Sequence, residues 1–224
     1  MQRKDPFITG EYYHIYNRGI DKRIIFKSEV DFKRFLMLLY VSNSKTESFR
    51  LDNFINQQHK TFQEVLMLDK KEPLVSIGAW CSMPNHFHIL VRQKIDGGIT
   101  KFMKKLGTAY SMYFNIKYKR QGALFGGPFK SKLINADDIY LKHLFAYINL
   151  NPLDLKFPNW EKNIKNYFPK MQNFLGKYPY SSYLDFFSKP RIEGKVLHLK
   201  DFPDYFEKVG SFKEFINSYL VDIV

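Results

Sequence analysis

Apolar positions recur along this chain with two periods, and their alternation predicts the order of its elements. Residues 12–17 are rich in β-forming side chains and run into the turn-like Arg18-Gly19-Ile20-Asp21, which predicts a first strand. Val30, Phe32, Phe35, Leu36, Leu38 and Leu39 then keep a helical spacing behind Ser28 and Glu29, the pattern of an amphipathic helix with an N-cap. Residues 42–73 turn polar, with Asn53, Asn56, Gln57, Gln58, His59 and Lys60, and read as an insertion with one short helix near residues 62–68. Residues 74–80 and 86–92 are strand-like on either side of Met83-Pro84-Asn85, so they predict an antiparallel pair. Past Gly97-Gly98, the periodic Phe102, Met103, Leu106, Ala109, Tyr110 and Tyr113 predict a long helix over about residues 99–118, broken by residues 122–128. A short strand at residues 129–134 follows. Asn135-Ala136-Asp137-Asp138 then caps a helix over about residues 139–150, which Asn151-Pro152 stops.

The order β-α-β-β-α-β is the ferredoxin-like arrangement, an α+β fold on one antiparallel sheet. We expect residues 1–152 to form this domain and residues 153–224 a mostly helical C-terminal extension, aromatic and Lys-rich, with a last helix at residues 212–221. That extension could close over a site, bind nucleic acid or cap the sheet.

Composition narrows the class. With 224 residues, 45% of them hydrophobic, the chain can bury a sizeable core. Lys and Arg number 35 against 22 Asp and Glu, a net charge of +13 that favours a polyanionic partner, with nucleic acid the leading candidate. One cysteine, Cys81, excludes an internal disulfide and reads as a small buried residue. No signal sequence opens the chain and no apolar run could span a bilayer, so the expected setting is cytoplasmic and nucleoid-associated, with no membrane partner. Between Gly97 and Asn135 there is no acidic residue, whereas Lys101, Lys104, Lys105, Lys117, Lys119, Arg120, Lys130 and Lys132 are present. Such a run suits a phosphate backbone, and Tyr113, Phe114, Tyr118 and Phe125 among it could stack on unpaired bases, although most are expected in the core.

The chemistry is concentrated in two places. His86 and His88 open a predicted strand, so both imidazoles project from one face, about 7 Å apart at Cα, and can grip one divalent ion. Two imidazoles leave that ion short of a protein ligand. The helix before Pro152 offers one, because Tyr147 and Asn151 are four residues apart and share a face. The amide oxygen of Asn151 suits Mg²⁺ or Mn²⁺, and Tyr147 places a phenol one turn away. Phenol and metal together suggest attack on a phosphodiester, leaving a phosphotyrosine on one DNA end and a hydroxyl on the other. Tyr110 is a rival nucleophile, but Phe114 stands where an amide would be needed.

Met83-Pro84-Asn85-His86-Phe87-His88 together with Tyr147-Ile148-Asn149-Leu150-Asn151-Pro152 resembles the IS200-like single-tyrosine transposases of the HUH class, most of all the REP-associated tyrosine transposases. The similarity runs from about residue 12 to residue 152 and includes His14-Ile15-Tyr16-Asn17-Arg18-Gly19. It implies that His86, His88 and Asn151 hold the metal, that Tyr147 is the nucleophile, and that the chain cleaves and rejoins single-stranded DNA at hairpin-bearing sites, as a monomer or homodimer. Arg18 joins the basic residues expected on the nucleic acid. Leu124-Phe125-Gly126-Gly127-Pro128-Phe129-Lys130 departs from the family pattern, with Pro128 where an Arg is expected, which puts one backbone or hairpin contact in doubt. Two other readings stay open. One is a non-catalytic nucleic-acid-binding protein on the same fold, and the other a metal phosphodiesterase that activates water.

Overall fold

The computed structural model describes residues 6–45, 51, 55, 57–69, 72–134, 138–162, 164–186, 190–203, 214–216 and 219. Four strands, β1 (Tyr12–Arg18), β2 (Val75–Met83), β3 (His86–Gln93) and β4 (Lys130–Ile134), form one antiparallel sheet in the order β2-β3-β1-β4. The helices are α1 (Glu29–Ser42), α2 (Phe62–Leu66), α3 (Gly98–Lys117), α4 (Asp138–Leu150) and α5 (Ile164–Leu175). With α2 aside, β1-α1-β2-β3-α3-β4 in this strand order is the expected ferredoxin-like arrangement. Among the described residues no helix is long and apolar enough to cross a membrane.

Strand alternation divides the side chains between two layers. Phe87, Ile89 and Val91 of β3 join Phe35, Leu39, Phe102, Leu106 and Tyr110 in the core beneath α1 and α3. Leu90 projects the other way and packs with Ala79, Cys81, Leu141, Leu144, Phe145 and Ile148 beneath α4. Cys81 is buried there with a free thiol, as its sequence context suggests. The parity of β2 changes at a bulge between Ile77 and Ala79, and the residue there is Gly78. A Cβ on Gly78 would approach the Phe202 ring to 2.7 Å and the Phe145 ring to 3.0 Å, so two aromatic rings can press on the strand only because that side chain is missing.

The expected β2 stopped at Trp80, but the strand continues to Met83. Only Pro84 and Asn85 form the turn, and Cys81, Ser82 and Met83 pair with His88, Phe87 and His86. α1 is less amphipathic than its spacing suggests: Val30 is exposed, whereas Met37 through Ser42 are all buried. Its N-terminus is fixed by the Asp31 carboxylate, which accepts the backbone N–H groups of Lys27 at 2.8 Å and Ser28 at 3.0 Å. The cap expected from Asn135-Ala136-Asp137 lies outside the described residues. So does most of the predicted last helix, of which residues 214–216 and 219 are helical.

Beyond α4 the chain is a series of 3₁₀ turns around α5, and part of it returns to the sheet. The outer edge of β2 accepts a bridge between Cys81 and Ser181, Ser82 N–H donates to the Tyr180 carbonyl at 2.9 Å, and His198 N–H donates to the Ile77 carbonyl at 2.9 Å. Ser182 also ties this segment to α4. Its hydroxyl accepts from Trp80 N–H at 3.0 Å and donates to Asn149 Oδ1 at 2.8 Å, while Asn149 Nδ2 donates to the Phe145 carbonyl at 2.8 Å. Ser182 and Asn149 are fully buried, so these bonds fix both the axial position and the rotation of α4.

Candidate active site

The β2–β3 turn delivers His86 and His88 to the α4 side of the sheet, α4 carries Tyr147 to meet them, and Asn151 opens the 3₁₀ helix that continues directly from α4. His86 Nε2 stands 3.2 Å from Asn151 Oδ1. The His86 and His88 ring centroids are 5.0 Å apart, and the Tyr147 ring lies edge-on to His88 at 5.4 Å. All four side chains expected from the sequence therefore converge. Tyr147 is 44% exposed, although its neighbours Ala146 and Ile148 are fully buried. Tyr110, the rival, is fully buried and donates its hydroxyl to the Ile25 carbonyl at 2.6 Å.

A third imidazole, unassigned in the sequence reading, belongs to the cluster. His14 Nε2 is 2.8 Å from His88 Nδ1, and its ring packs on those of His88, Tyr16 and Tyr147. The pairing of β1 with β3 brings it there, with Tyr16 directly opposite His88. His14 and Tyr16 are two residues apart and so share a face, but which strand lies beside β3 is a long-range fact that local spacing does not encode.

Burial sets the charge state. It holds the His88 imidazole down at about 2, with His14 and His86 adding to the effect. Burial and the nearby Lys132 ammonium lower His14 to about 4. His86 is lowered by burial as well, although the Asn151 oxygen beside its Nε2 favours the charged form and so works the other way. The three rings are thus neutral near neutral pH, the form in which an imidazole ligates a metal. The Tyr147 phenol is raised by burial, partly offset by a hydrogen bond from Asn151.

The donors suit a hard cation. A neutral imidazole carries one N–H, and His86 Nδ1 faces Asn85 Oδ1 at 2.6 Å, where only a donor fits. That leaves a lone pair on Nε2 opposite the oxygen of Asn151, two acceptors with nothing between them to share. A divalent cation would satisfy both. His88 can turn its Nε2 lone pair to the same ion if its Nδ1–H donates to His14, so each ligand would have its other nitrogen held by a neighbour. Among the described residues, no group of three or more His, Cys, Asp and Glu side chains is arranged to hold a metal, so the amide of Asn151 is what would complete a set of three.

The basic residues divide in two. In β1–β4 pairing Tyr16 faces Lys130 and His14 faces Lys132, and in β1–β3 pairing Arg18 faces His86, so these three cations belong to the site's side of the sheet. The α3 cations lie across the sheet, although they are close in sequence. Lys101 and Lys105 donate to the carbonyls of Lys45 and Ser44 at 3.2 and 2.8 Å, and Lys117 pairs with Asp31 at 2.6 Å. Lys104 lines a groove with Asn17 and the exposed Pro128, Arg120 donates to Asn115 Oδ1 at 2.8 Å, and Lys119 follows the end of α3 in a left-handed conformation. The acid-free run, continuous in sequence, is therefore split between two faces of the sheet, because linear proximity of α3 to β3 becomes opposite faces once α3 packs on α1. The aromatics interleaved with these cations pack in or against the core, as expected for most of them. Phe114 is fully buried, and the Tyr113 and Tyr118 hydroxyls are bound to Asp31 at 2.8 and 2.7 Å.

No curated protein matches the chain. Among solved structures, a REP-associated tyrosine transposase bound to a REP hairpin is similar over 82% of both chains, with 12% identity and a TM-score of 0.48. The family model for IS200-like transposases matches residues 41–151, a span that contains β2, β3, α3, β4 and α4, with His86, His88, Tyr147 and Asn151 inside it. Through that span the chain belongs to the IS200-like transposase family.

Proposed function

We propose that this transposase cuts and rejoins single-stranded DNA through Tyr147, with His86, His88 and Asn151 holding Mg²⁺ or Mn²⁺. The observation that carries the reading is the meeting of His86 Nε2 with Asn151 Oδ1 beside an exposed phenol in the last turn of the preceding helix. Tyr147 Oη attacks the scissile phosphorus as the bond to the 3′ oxygen breaks. The phenolic proton is lost to solvent, and the departing 3′ oxygen takes one up. A 5′-phosphotyrosine and a free 3′ hydroxyl result, and attack by a 3′ hydroxyl on the phosphotyrosine restores a phosphodiester and the phenol. Asn151 orients the phenol by its hydrogen bond, and the neutral imidazoles keep their lone pairs free. When bound, the cation polarises the non-bridging oxygens and aligns the phosphate for in-line displacement. Hairpin-bearing sites as substrates follow from the sequence resemblance.

The test is a reaction of the whole chain with hairpin-bearing single-stranded DNA in Mn²⁺, followed by digestion and mass spectrometry. A nucleotide on Tyr147, absent when the metal is chelated, is the expected result. Cleavage that needs metal but leaves no tyrosine modified would mean activated water. Metal-independent binding with no cleavage of any hairpin substrate would mean a binding protein.

Arg18, Lys130 and Lys132 carry the strand's phosphates in this reading, because they flank the site. Lys130→Ala combined with Lys132→Ala should reduce the slope of log affinity against log salt by about two. Lys101→Ala with Lys105→Ala should leave it nearly unchanged. Equal effects of the two pairs would mean that the DNA runs over α3 as well.

A further inference from the structure

Most described side chains of α4 are buried, and of the exposed ones, Ile139 at its start, Tyr140, His143 and Tyr147, all but Ile139 are aromatic rings. Leu141, Leu144, Phe145, Ala146, Ile148, Asn149 and Leu150 are buried. Tyr140 is 64% exposed, Tyr147 44%, and His143 between them is also exposed. Spacings of three, four and seven put these rings in one row along the helix. An exposed helix strip in a basic protein ordinarily carries Lys, Glu or Gln, which solvate well. Three rings there need a partner.

The row borders a cavity of ≈ 440 Å³, with Lys132 and His14 on the sheet side and Tyr219 on the far side. Tyr219 meets His143 edge-to-face, with centroids 5.1 Å apart. Among the described residues no acidic side chain lines the cavity, and Lys132 supplies a cation at its rim. Flat rings, a cation and no carboxylate suit an unpaired nucleotide: the base has a π-face for the tyrosines and the phosphate a charge for the lysine. A base pair cannot enter, because both faces of each base and its pairing edge are already taken by the duplex.

We infer that the Tyr140–His143–Tyr147 strip of α4 is a stacking track that receives an unpaired base flanking the scissile phosphate and feeds the strand to the phenol. The inference rests on the reading of Tyr147 as nucleophile, and it adds the surface that selects single strands. Stacking on Tyr140 holds the strand in register, and the row ends at Tyr147, so the next phosphate along is brought to the metal donors.

Binding without chemistry tests it. Fluorescein-labelled oligothymidine, the same strand annealed to oligoadenine, and an abasic strand of equal length are titrated with the full chain in chelator and followed by anisotropy. Wild type should prefer oligothymidine to both other probes. Tyr140→Ala should weaken oligothymidine binding roughly tenfold and leave the abasic strand unaffected, whereas Tyr140→Phe and Tyr140→Trp should retain wild-type affinity. His143→Ala provides a second variant should Tyr140→Ala fold poorly, which its melting curve will reveal. Wild-type affinity in both alanine variants, or equal wild-type affinity for abasic and base-bearing strands, would overturn the track. The two proposals fail separately. A missing Tyr147 adduct with this binding pattern intact would sink the nucleophile alone. A normal adduct with unchanged affinity in the alanine variants would sink the track alone.

Discussion

The Tyr147→Phe chain should fold and bind hairpin-bearing single-stranded DNA but cleave it at least about 10⁴-fold more slowly than wild type, with no covalent adduct. The substitution removes one oxygen from a side chain that is 44% exposed, and with it only the hydrogen bond from Asn151. Its melting temperature should therefore stay close to that of wild type, since surface changes of this kind are usually within about 0.5 kcal/mol. Tyr110 cannot take over without rearrangement, because it is sealed in the core with its hydroxyl on Ile25. Single-turnover cleavage at saturating DNA is the measurement. A wild-type rate in Tyr147→Phe would remove the tyrosine from the chemistry, and undiminished dependence on His86 and His88 would then point to activated water.

Asp31→Ala should do the opposite, costing stability far from the site. The Asp31 carboxylate is fully buried and accepts five donors: the N–H groups of Lys27 and Ser28, the Tyr113 and Tyr118 hydroxyls, and the Lys117 ammonium. Truncation strands those groups at the α1–α3 contact, a loss on the order of 3 kcal/mol, or roughly 10 °C in melting temperature. Burial alone would raise the Asp31 carboxyl. The bonds from Lys117, Tyr118, Tyr113 and the Lys27 N–H outweigh it, so the group titrates below the ordinary carboxylate value. Its contribution is therefore complete above about pH 4 and is lost as pH falls through the lower folded value. Asp31→Asn should flatten that part of the stability profile. A melting temperature within a degree of wild type in Asp31→Ala would refute the role.

Local periodicity carried the strands and helices of the core, because each of them buries one face of a regular element. β2 ran longer than expected, since the pairing that sustains Cys81 to Met83 comes partly from residues 180–182, a hundred positions away. The candidate site was legible for a similar reason. His86 and His88 share a strand face, Tyr147 and Asn151 share a helix face, and each pair is a short-range pattern. His14 was not assigned, because its role depends on β1 lying beside β3. The side of the sheet taken by the α3 lysines was not legible, because it depends on how α3 packs and residues close in sequence to β3 end across the sheet from the histidines. The exposed row on α4 was hidden by its own composition: a tyrosine among Leu144, Phe145 and Ile148 reads as core until the helix is placed.

The bonds from Ser182 to Trp80 and Asn149 have a bearing on how the molecule is made. A ribosome delivers His86, His88 and Tyr147 well before it delivers the serine that anchors the helix bearing the tyrosine. Until then β2 presents an open edge, and α4 lacks the buried bond that sets its rotation. A nascent chain would therefore hold every chemical group of the site without the geometry to use them until Ser182 had been made. Stalling translation just before and just after Ser182, and assaying each released chain for adduct formation, would reveal whether competence arrives with that residue.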